Sequence, residues 1–141
     1  LSFEKASAVS KIAEKNSVII SADTVVVFNE RVMGKPKDAA DAEDMLCNLS
    51  GNTHSVITAV TVMNGDKVLT KTVNTSVTFR KLSAGEIRDY IATGEPFDKA
   101  GGYGIQGRAS KFVSRIDGDY FSVVGLPVCT LSEMLKEFNI D

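Results

Sequence analysis

A long β-hairpin is the feature of this sequence that most restricts its fold. Residues 55–63 and 67–79 are rich in β-branched side chains, and they flank Asn64-Gly65, a dipeptide that favours a tight turn between antiparallel strands. The second run alternates between apolar and polar residues from Val73 to Phe79, as a strand with one buried face does. The chain is therefore expected to be built around a sheet that contains this antiparallel pair.

Two elements are predicted before the hairpin. Residues 2–15 carry apolar side chains at helical spacing, and Asn16 is expected to end this helix. Residues 17–28 read as a strand, and their apolar runs predict burial on both faces. Asn29 and Glu30 then predict a turn into a short strand over residues 31–33.

Helix boundaries are marked by capping residues. Asp38 is the expected N-cap of a helix that ends at Leu49. Ser83 and Glu86 form a capping-box pattern, which predicts a further helix that runs to Gly94.

The last third of the chain is expected to add a second hairpin and a helix. Residues 111–116 and 120–124 read as strands around Asp117-Gly118-Asp119, and a final helix begins near Pro127 or Thr130. These elements predict one α/β (α+β) domain over residues 1–141, with a twisted mixed sheet flanked by helices.

Composition excludes several classes of function. The 141 residues carry 16 basic and 18 acidic side chains, a net charge of −2 without a basic stripe, which argues against a nucleic-acid partner. The sequence has no apolar run long enough for a membrane span, and a single histidine makes zinc binding a poor fit. Cys47 and Cys129 are far apart in apolar stretches, which predicts buried thiols and a cytoplasmic location.

A glycine-rich loop is the first candidate for a ligand site. Residues 94–107 contain five of the 11 glycines and frame Asp98, Lys99, Tyr103 and Gln106. Backbone N–H groups and Lys99 suit an anion, and the Gln106 amide suits a polar edge, so a nucleotide would satisfy both. A plain turn with a local Asp98–Lys99 ion pair is the alternative.

Asp23 is the second candidate, because it interrupts an otherwise apolar strand. A partly desolvated carboxylate with a cation nearby suits a general base. The alternative is a structural carboxylate that caps a loop or pairs with an arginine. Lys5, Lys35 and Lys99 would form a phosphate cradle if they converged on this acid, and would otherwise be ordinary surface lysines. His54 is interpreted as a structural residue.

Several segments together resemble the Maf family of nucleoside triphosphate pyrophosphatases, in family order and over essentially the whole chain. They are residues 21–26 (SADTVV), 34–36 (GKP), 49–51 (LSG) with His54 and Thr58, 94–96 (GEP), 98–101 (DKAG), 103–107 (YGIQG) and 124–127 (VGLP). The resemblance implies a fold related to inosine triphosphate pyrophosphatases. It also implies hydrolysis between the α and β phosphates to a nucleoside monophosphate and pyrophosphate, with a divalent metal, Mg or Mn.

The resemblance also implies roles for individual residues. Asp23 corresponds to the proton acceptor that activates water, and Lys5, Lys35 and Lys99 match cations of the cleft. Thr24 and Gln106 occupy positions that set base preference, and this pair is similar to the branch that acts on dTTP and UTP.

Three expectations accompany this interpretation. Family members begin with a strand and an SxSPRR loop that precede the first residue here, so we expect an N-terminally truncated domain with an exposed sheet edge and a tendency to self-associate. The family implies a homodimer. The alternative functions are a non-catalytic nucleotide-binding module of the septum-inhibition type, and the same reaction on 7-methyl-GTP.

Overall fold

The hairpin forms the centre of the sheet. A computed structural model describes residues 1–13 and 16–141. Strands β3 (Thr53–Asn64) and β4 (Lys67–Phe79) pair antiparallel from Thr53↔Thr78 to Asn64↔Lys67. The turn residues are Gly65 and Asp66, one position later than expected, because Gly65 takes the positive φ of 58° that glycine adopts readily.

Three more strands complete the sheet within the described residues. Strand β1 (Ile19–Phe28) pairs with β3, β2 (Arg31–Met33) pairs with the end of β1, and β5 (Val113–Asp117) pairs with β4. The order is β2-β1-β3-β4-β5. The α/β class is confirmed. All four pairings in this part of the chain are antiparallel, however, so the expected mixture of parallel and antiparallel strands is wrong. Two-residue turns join β1 to β2 and β3 to β4, and such turns can connect only antiparallel strands.

One face of the sheet carries the first helix. Helix α1 (Ser2–Ser10) contacts this face through a hydrogen bond of 2.8 Å between Ser2 Oγ and Thr61 Oγ1. Ser21 Oγ also donates to the Ser2 carbonyl. The helix is shorter than the predicted 2–15, and the end of that prediction, residues 14 and 15, lies outside the described residues.

The opposite face carries the main core. Helices α2 (Ala39–Leu49) and α3 (Ala84–Ala92) pack there on β1, β3 and β4. The buried side chains of this cluster include Val26, Leu46, Leu49, Val56, Val77, Phe79, Ile87 and Phe112. Helix α5 (Val128–Lys136) covers the other end of β3, where Leu131 and Met134 pack on Val60 and Val62. Burial on this face therefore determines the register, since a one-residue slip would expose these side chains.

The predicted helix starts are confirmed. Asp38 Oδ1 accepts a hydrogen bond of 2.8 Å from the Asp41 N–H at the start of α2. The Ser83–Glu86 capping box is complete at the start of α3, where Glu86 also binds Arg80 at 2.5 Å. These contacts satisfy N–H groups that a helix start leaves without intrahelical partners.

The expected second hairpin is wrong. Residues 120–124 form helix α4 (Tyr120–Val124), and residues 108–112 form a 3₁₀ turn that leads into β5. Asp119 explains the difference, because its Oδ1 accepts from the N–H groups of Phe121 and Ser122 at 2.9 and 3.3 Å. A local cap of this kind outweighs the strand propensity of aromatic and β-branched residues.

Two predictions of burial are also wrong. Strand β1 is mostly half-buried and only Val26 is fully buried, since β2 covers just its last residues and α1 only part of one face. Cys47 and Cys129 are free and exposed, because both lie on the outward sides of their helices. None of the helices in the described ranges has the length and apolarity needed to cross a membrane.

Candidate functional site

A cleft of about 550 Å³ lies between the sheet and the glycine-rich loop. Thr24, Val26 and Val56 line it from the sheet. Lys35, Lys99 and Gln106 line it from the loops. The structure thus brings together four of the six predicted site residues, namely Thr24, Lys35, Lys99 and Gln106.

A backbone hydrogen bond places the two lysine-bearing loops side by side. The Gly101 N–H donates to the Gly34 carbonyl at 3.1 Å, and Lys35 follows Gly34 directly. Gly101 has a φ of 76°, and a Cβ at this position would lie 3.0 Å from Val26 Cγ1. Glycine is therefore needed for the loop to pack against β1 and to bring Lys99 to the cleft that Lys35 lines.

The Lys99 side chain crosses the loop at another glycine. A Cβ on Gly104 would lie 2.9 Å from Lys99 Cε, so the absence of a side chain at Gly104 leaves room for the lysine stem. Lys99 Nζ lies 3.5 Å from Asp98 Oδ1, and both residues line the cleft. The local ion pair considered as an alternative is thus present, and it lies at the ligand cleft.

Hydrogen bonds hold the turn that carries Gln106 on both sides of this residue. The Gly104 N–H donates to Tyr90 Oη at 3.3 Å, and the Arg108 N–H donates to Glu95 Oε1 at 3.2 Å. A Cβ on Gly107 would lie 2.1 Å from Glu95 Oε1, so the carboxylate packs directly on the backbone there. Burial, and then the adjacent Glu95 carboxylate, raise the pKa of Tyr90. Tyr90 and Glu95 therefore position the exposed Gln106 side chain.

Glu95 was missed as a site residue. It lines the cleft, and its Oε2 is buried without a hydrogen-bond partner in the part of the chain that the structure describes. Its position directly after Gly94 in the glycine-rich segment was the signal available in the sequence.

Thr24 is connected to α4 through the sheet. Its Oγ1 lies 2.9 Å from Thr58 Oγ1 on β3, and Thr58 Oγ1 donates to the Ser122 carbonyl at 2.7 Å. Val123 and Val124, which follow Ser122 on α4, line the cleft. The hydroxyl of Thr24 is thus oriented by buried groups rather than by solvent.

Asp23 and Lys5 form a separate pair. Lys5 Nζ lies 3.0 Å from Asp23 Oδ1 and donates to the Ala22 carbonyl at 3.2 Å. Asp23 does not line the cleft, because side chains alternate along a strand and its neighbour Thr24 faces the cleft. Of the three lysines that would form a phosphate cradle if they converged on Asp23, only Lys5 contacts this carboxylate, whereas Lys35 and Lys99 line the cleft.

The edge of β1 lies between the pair and the cleft. The structure pairs β2 only with residues 26–28 of β1, so residues 19–25 have no strand beside them opposite β3 within the described ranges. Asp23 is 23% exposed and Lys5 is 55% exposed. Thr24 and Asp23 therefore lie on opposite faces of β1 at the same edge of the sheet.

His54 lies in the core, as expected for a structural histidine. It is 3% exposed, its Nε2 lies 2.5 Å from Tyr103 Oη, and its ring packs edge-on against Phe79. Burial lowers its pKa from 6.5 to about 4. His54 is therefore neutral at neutral pH and supports Tyr103, which lines the cleft.

A metal ion at this site would need further ligands from a bound substrate or from water. The described residues contain no group of three or more histidine, cysteine, aspartate or glutamate side chains close enough to hold one. Mg²⁺ in phosphate sites is commonly bound by one or two carboxylates together with substrate phosphates and water. A single accessible carboxylate such as Asp23 fits that donor set.

Sequences of known proteins show the class to which a chain with this fold and this cleft belongs. The sequence model of the family described as Maf-like protein matches residues 1–138. The chain belongs to this family, as the sequence motifs predict.

Curated relatives are similar over almost the whole chain. A protein of Bacillus cytotoxicus named dTTP/UTP pyrophosphatase is 52% identical over 139 residues, which are 99% of this chain and 72% of the relative. Proteins with the same name from Bacillus cereus and Bacillus anthracis are 52% and 51% identical over 143 residues. These alignments cover all of this chain and 73% of each relative.

Proposed function

We propose that this protein is a nucleoside triphosphate pyrophosphatase that hydrolyses dTTP and UTP to the nucleoside monophosphate and pyrophosphate. The observation that carries the proposal is the cleft that combines Thr24 and Gln106 with two lysines, Lys35 and Lys99. The names of the relatives support the same substrates. Hydroxyl and amide groups suit a base, and ammonium groups suit a phosphate chain.

In the proposed complex the nucleotide extends from the cleft to the edge of β1. The base contacts Thr24 and Gln106, and Lys35 and Lys99 neutralise phosphate oxygens. The chain of phosphates then reaches the edge where Lys5 and Asp23 lie 3.0 Å apart. Positioning and neutralisation of charge provide most of the catalysis that phosphoryl transfer requires.

Asp23 is the proposed general base. Its carboxylate accepts a proton from water as the water oxygen bonds to the α-phosphorus, and the bond from that phosphorus to the bridging oxygen of pyrophosphate breaks. The Lys5 ammonium donates to Asp23 Oδ1 at 3.0 Å and holds the carboxylate in place.

The reaction is proposed to use Mg²⁺ or Mn²⁺ that binds together with the nucleotide. Asp23 would supply a carboxylate oxygen and the phosphates would supply further ligands. When bound, the ion adds positive charge beside the phosphate oxygens. Chelation with EDTA is then expected to stop turnover, and added Mg²⁺ or Mn²⁺ to restore it.

The test is turnover of dTTP, UTP, CTP and 7-methyl-GTP, with monophosphate and pyrophosphate both measured. Asp23→Asn should lower kcat by about 10²- to 10⁴-fold while nucleotide binding in the cleft remains, because the proposed general base and carboxylate ligand of the metal is lost and the cleft residues are intact. Asp66→Asn, an exposed turn residue, is the matched control. An unchanged rate in Asp23→Asn would remove the assignment of Asp23 as the general base.

The same assays separate the alternative functions. Binding of nucleotide without turnover would favour a regulatory module, and preferential turnover of 7-methyl-GTP would change the proposed substrate.

Self-association and a cytoplasmic location belong to the same proposal. The open edge of β1 and its exposed Ile20 support pairing of two copies. Two free, exposed cysteines suit a reducing compartment, in which such thiols remain unpaired.

A further inference from the structure

The hydroxyl of Thr24 has its hydrogen directed away from the cleft. Thr58 Oγ1 donates to the Ser122 carbonyl at 2.7 Å, and a carbonyl can only accept. A hydroxyl has one hydrogen, so Thr58 must accept in its contact of 2.9 Å with Thr24 Oγ1. Thr24 is then the donor in that contact, and only its lone pairs remain for a ligand.

This orientation is protected from solvent. Thr58 and Ser122 are both 0% exposed, so water cannot replace either partner and reverse the direction of the two hydrogen bonds. The Ser122 carbonyl belongs to α4, which also contributes Val123 and Val124 to the cleft. Helix α4 therefore supplies both the carbonyl that accepts from Thr58 and two apolar side chains that line the cleft with Thr24.

Gln106 does not provide a comparable preference. Its amide has both a donor and an acceptor, and a rotation about the terminal bond exchanges them. Gln106 is exposed, so its amide can satisfy either a carbonyl or an amino group on a base. Discrimination between the two needs a group of fixed polarity, and Thr24 is such a group.

We propose that Thr58 is a specificity-determining positioning residue that makes Thr24 a hydrogen-bond acceptor only, and that the cleft thereby selects bases with an N3–H donor. This inference rests on the proposed function. Uracil and thymine carry a hydrogen on N3, whereas cytosine presents a lone pair there. With Thr24 opposite atom 3 of the ring, the lone pairs of Thr24 Oγ1 and cytosine N3 would face each other, which is unfavourable, so CTP is rejected.

The test compares binding and turnover for three bases. Calorimetry is done with α,β-imido analogues of UTP, CTP and N3-methyl-UTP, which resist hydrolysis between the α and β phosphates, and turnover is measured with UTP and CTP. The wild type should bind the UTP analogue at least tenfold more tightly than the other two. Thr58→Val frees the Thr24 hydroxyl to donate, and should lower the preference for UTP over CTP by about tenfold, in KM more than in kcat.

Two variants serve as controls. Thr58→Ser keeps the hydroxyl and should retain the wild-type preference within about twofold. Thr61→Val removes another fully buried threonine hydroxyl of β3, which contacts Ser2 and Thr70 and does not line the cleft, and should leave the preference unchanged. A general effect of a lost buried hydroxyl would instead appear in both valine variants.

Each result decides a different question. An unchanged preference for UTP over CTP in folded Thr58→Val overturns the inference. Equal affinity of the wild-type protein for the N3-methyl analogue and the UTP analogue also overturns it, and this measurement needs no variant. Selective binding of the UTP analogue without turnover of UTP overturns the proposed function and leaves the role of Thr58 intact. Turnover of UTP and CTP at equal efficiency overturns only the role of Thr58, and absence of binding overturns both.

Discussion

At the level of single residues, the hydrogen-bond partners of buried groups decide what a side chain can do. His54 Nε2 contacts Tyr103 Oη at 2.5 Å, whereas its Nδ1 is buried without a partner among the described residues. Desolvation disfavours the charged form of such a ring, which is why its pKa falls to about 4. His54 is thus a group whose protonation opposes folding.

His54 should make the protein less stable as the solution becomes acidic. The unfolded pKa is 6.5 and the folded pKa is about 4, so its contribution to stability is complete above pH 6.5 and is lost as the pH falls from 6.5 towards 4. The free energy of unfolding should decrease by about 3 kcal/mol over this range, since one pKa unit corresponds to about 1.4 kcal/mol. Urea unfolding at a series of pH values measures the change.

His54→Gln removes the titrating ring and keeps a nitrogen that can reach Tyr103. Its stability should be lower at neutral pH and nearly constant between pH 6.5 and 4.5. Below pH 4.5 a second group acts, because the Arg80 hydrogen bond lowers the pKa of Glu86 to about 2, and stability from that pair is lost as the pH falls from 4.5 towards 2. A wild-type curve that is flat from pH 6.5 to 4.5 would contradict the role given to His54.

At the level of elements, the site depends on the hydrogen bonds that hold its loops to helices and strands. Helix α3 and the 3₁₀ turn Glu95–Asp98 hold the turn with Gln106 through Tyr90 and Glu95. These contacts bond the backbone of Gly104 and Arg108, on either side of Gln106. The order of this turn is therefore a property of α3 and the turn that follows it.

Removal of the Tyr90 hydroxyl should loosen this turn locally. In Tyr90→Phe the Gly104 N–H loses its acceptor, so its hydrogen exchange should become about tenfold faster, while the ring still packs on Phe112. Amide exchange followed by NMR measures this, and the KM for UTP should rise more than kcat falls.

Glu95→Ala is the companion variant, and it should affect the Arg108 N–H instead of the Gly104 N–H. The Gly51 N–H, which donates to the Arg80 carbonyl outside this turn, serves as an internal reference. Equally accelerated hydrogen exchange at Gly51 and Gly104 would indicate global destabilisation and would argue against a local effect on this turn.

At the level of the whole molecule, strand β1 forms an edge of the described sheet beside the site. Residues 19–25 of β1 have no strand beside them opposite β3 in the described part of the chain, and Ile20 is 45% exposed there. The comparable edge of β4 carries Lys67 and Lys71, which discourage pairing with another strand. Residues 19–25 of β1 carry no lysine of their own, and the Lys5 ammonium of α1 contacts Ala22 and Asp23, so association is expected at the end of this edge where Ile20 lies.

Ile20→Lys should therefore reduce self-association. Sedimentation velocity over a range of protein concentrations should show a concentration-dependent increase for the wild type and a smaller one for the variant. Val128→Lys is the matched control, since Val128 is 48% exposed but lies on α5. Loss of self-association in Val128→Lys alone would place the contact on α5 and would rule out the β1 edge.

Much of this architecture was predictable because it depends on neighbouring residues. The β3–β4 hairpin, the Asn29-Glu30 turn, the Asp38 cap and the Ser83–Glu86 box all follow from local conformational preferences and local hydrogen bonds. The hairpin expected over 111–124 failed for the same kind of reason, since the Asp119 cap was not recognised. The burial of Cys47 and Cys129 failed because apolar neighbours in sequence do not show which side of a helix faces the core.

The sequence alone determined the family and the central hairpin, because these depend on residue type and spacing. Only the tertiary structure decided that Thr24, Lys35, Lys99 and Gln106 share one cleft while Asp23 and Lys5 form a pair on the other face of β1. It also decided the direction of the Thr24 hydroxyl, which depends on Thr58 and on a carbonyl 64 residues further along the chain. Such relations follow from strand alternation and from contacts between distant segments, and both exist only once the chain has folded.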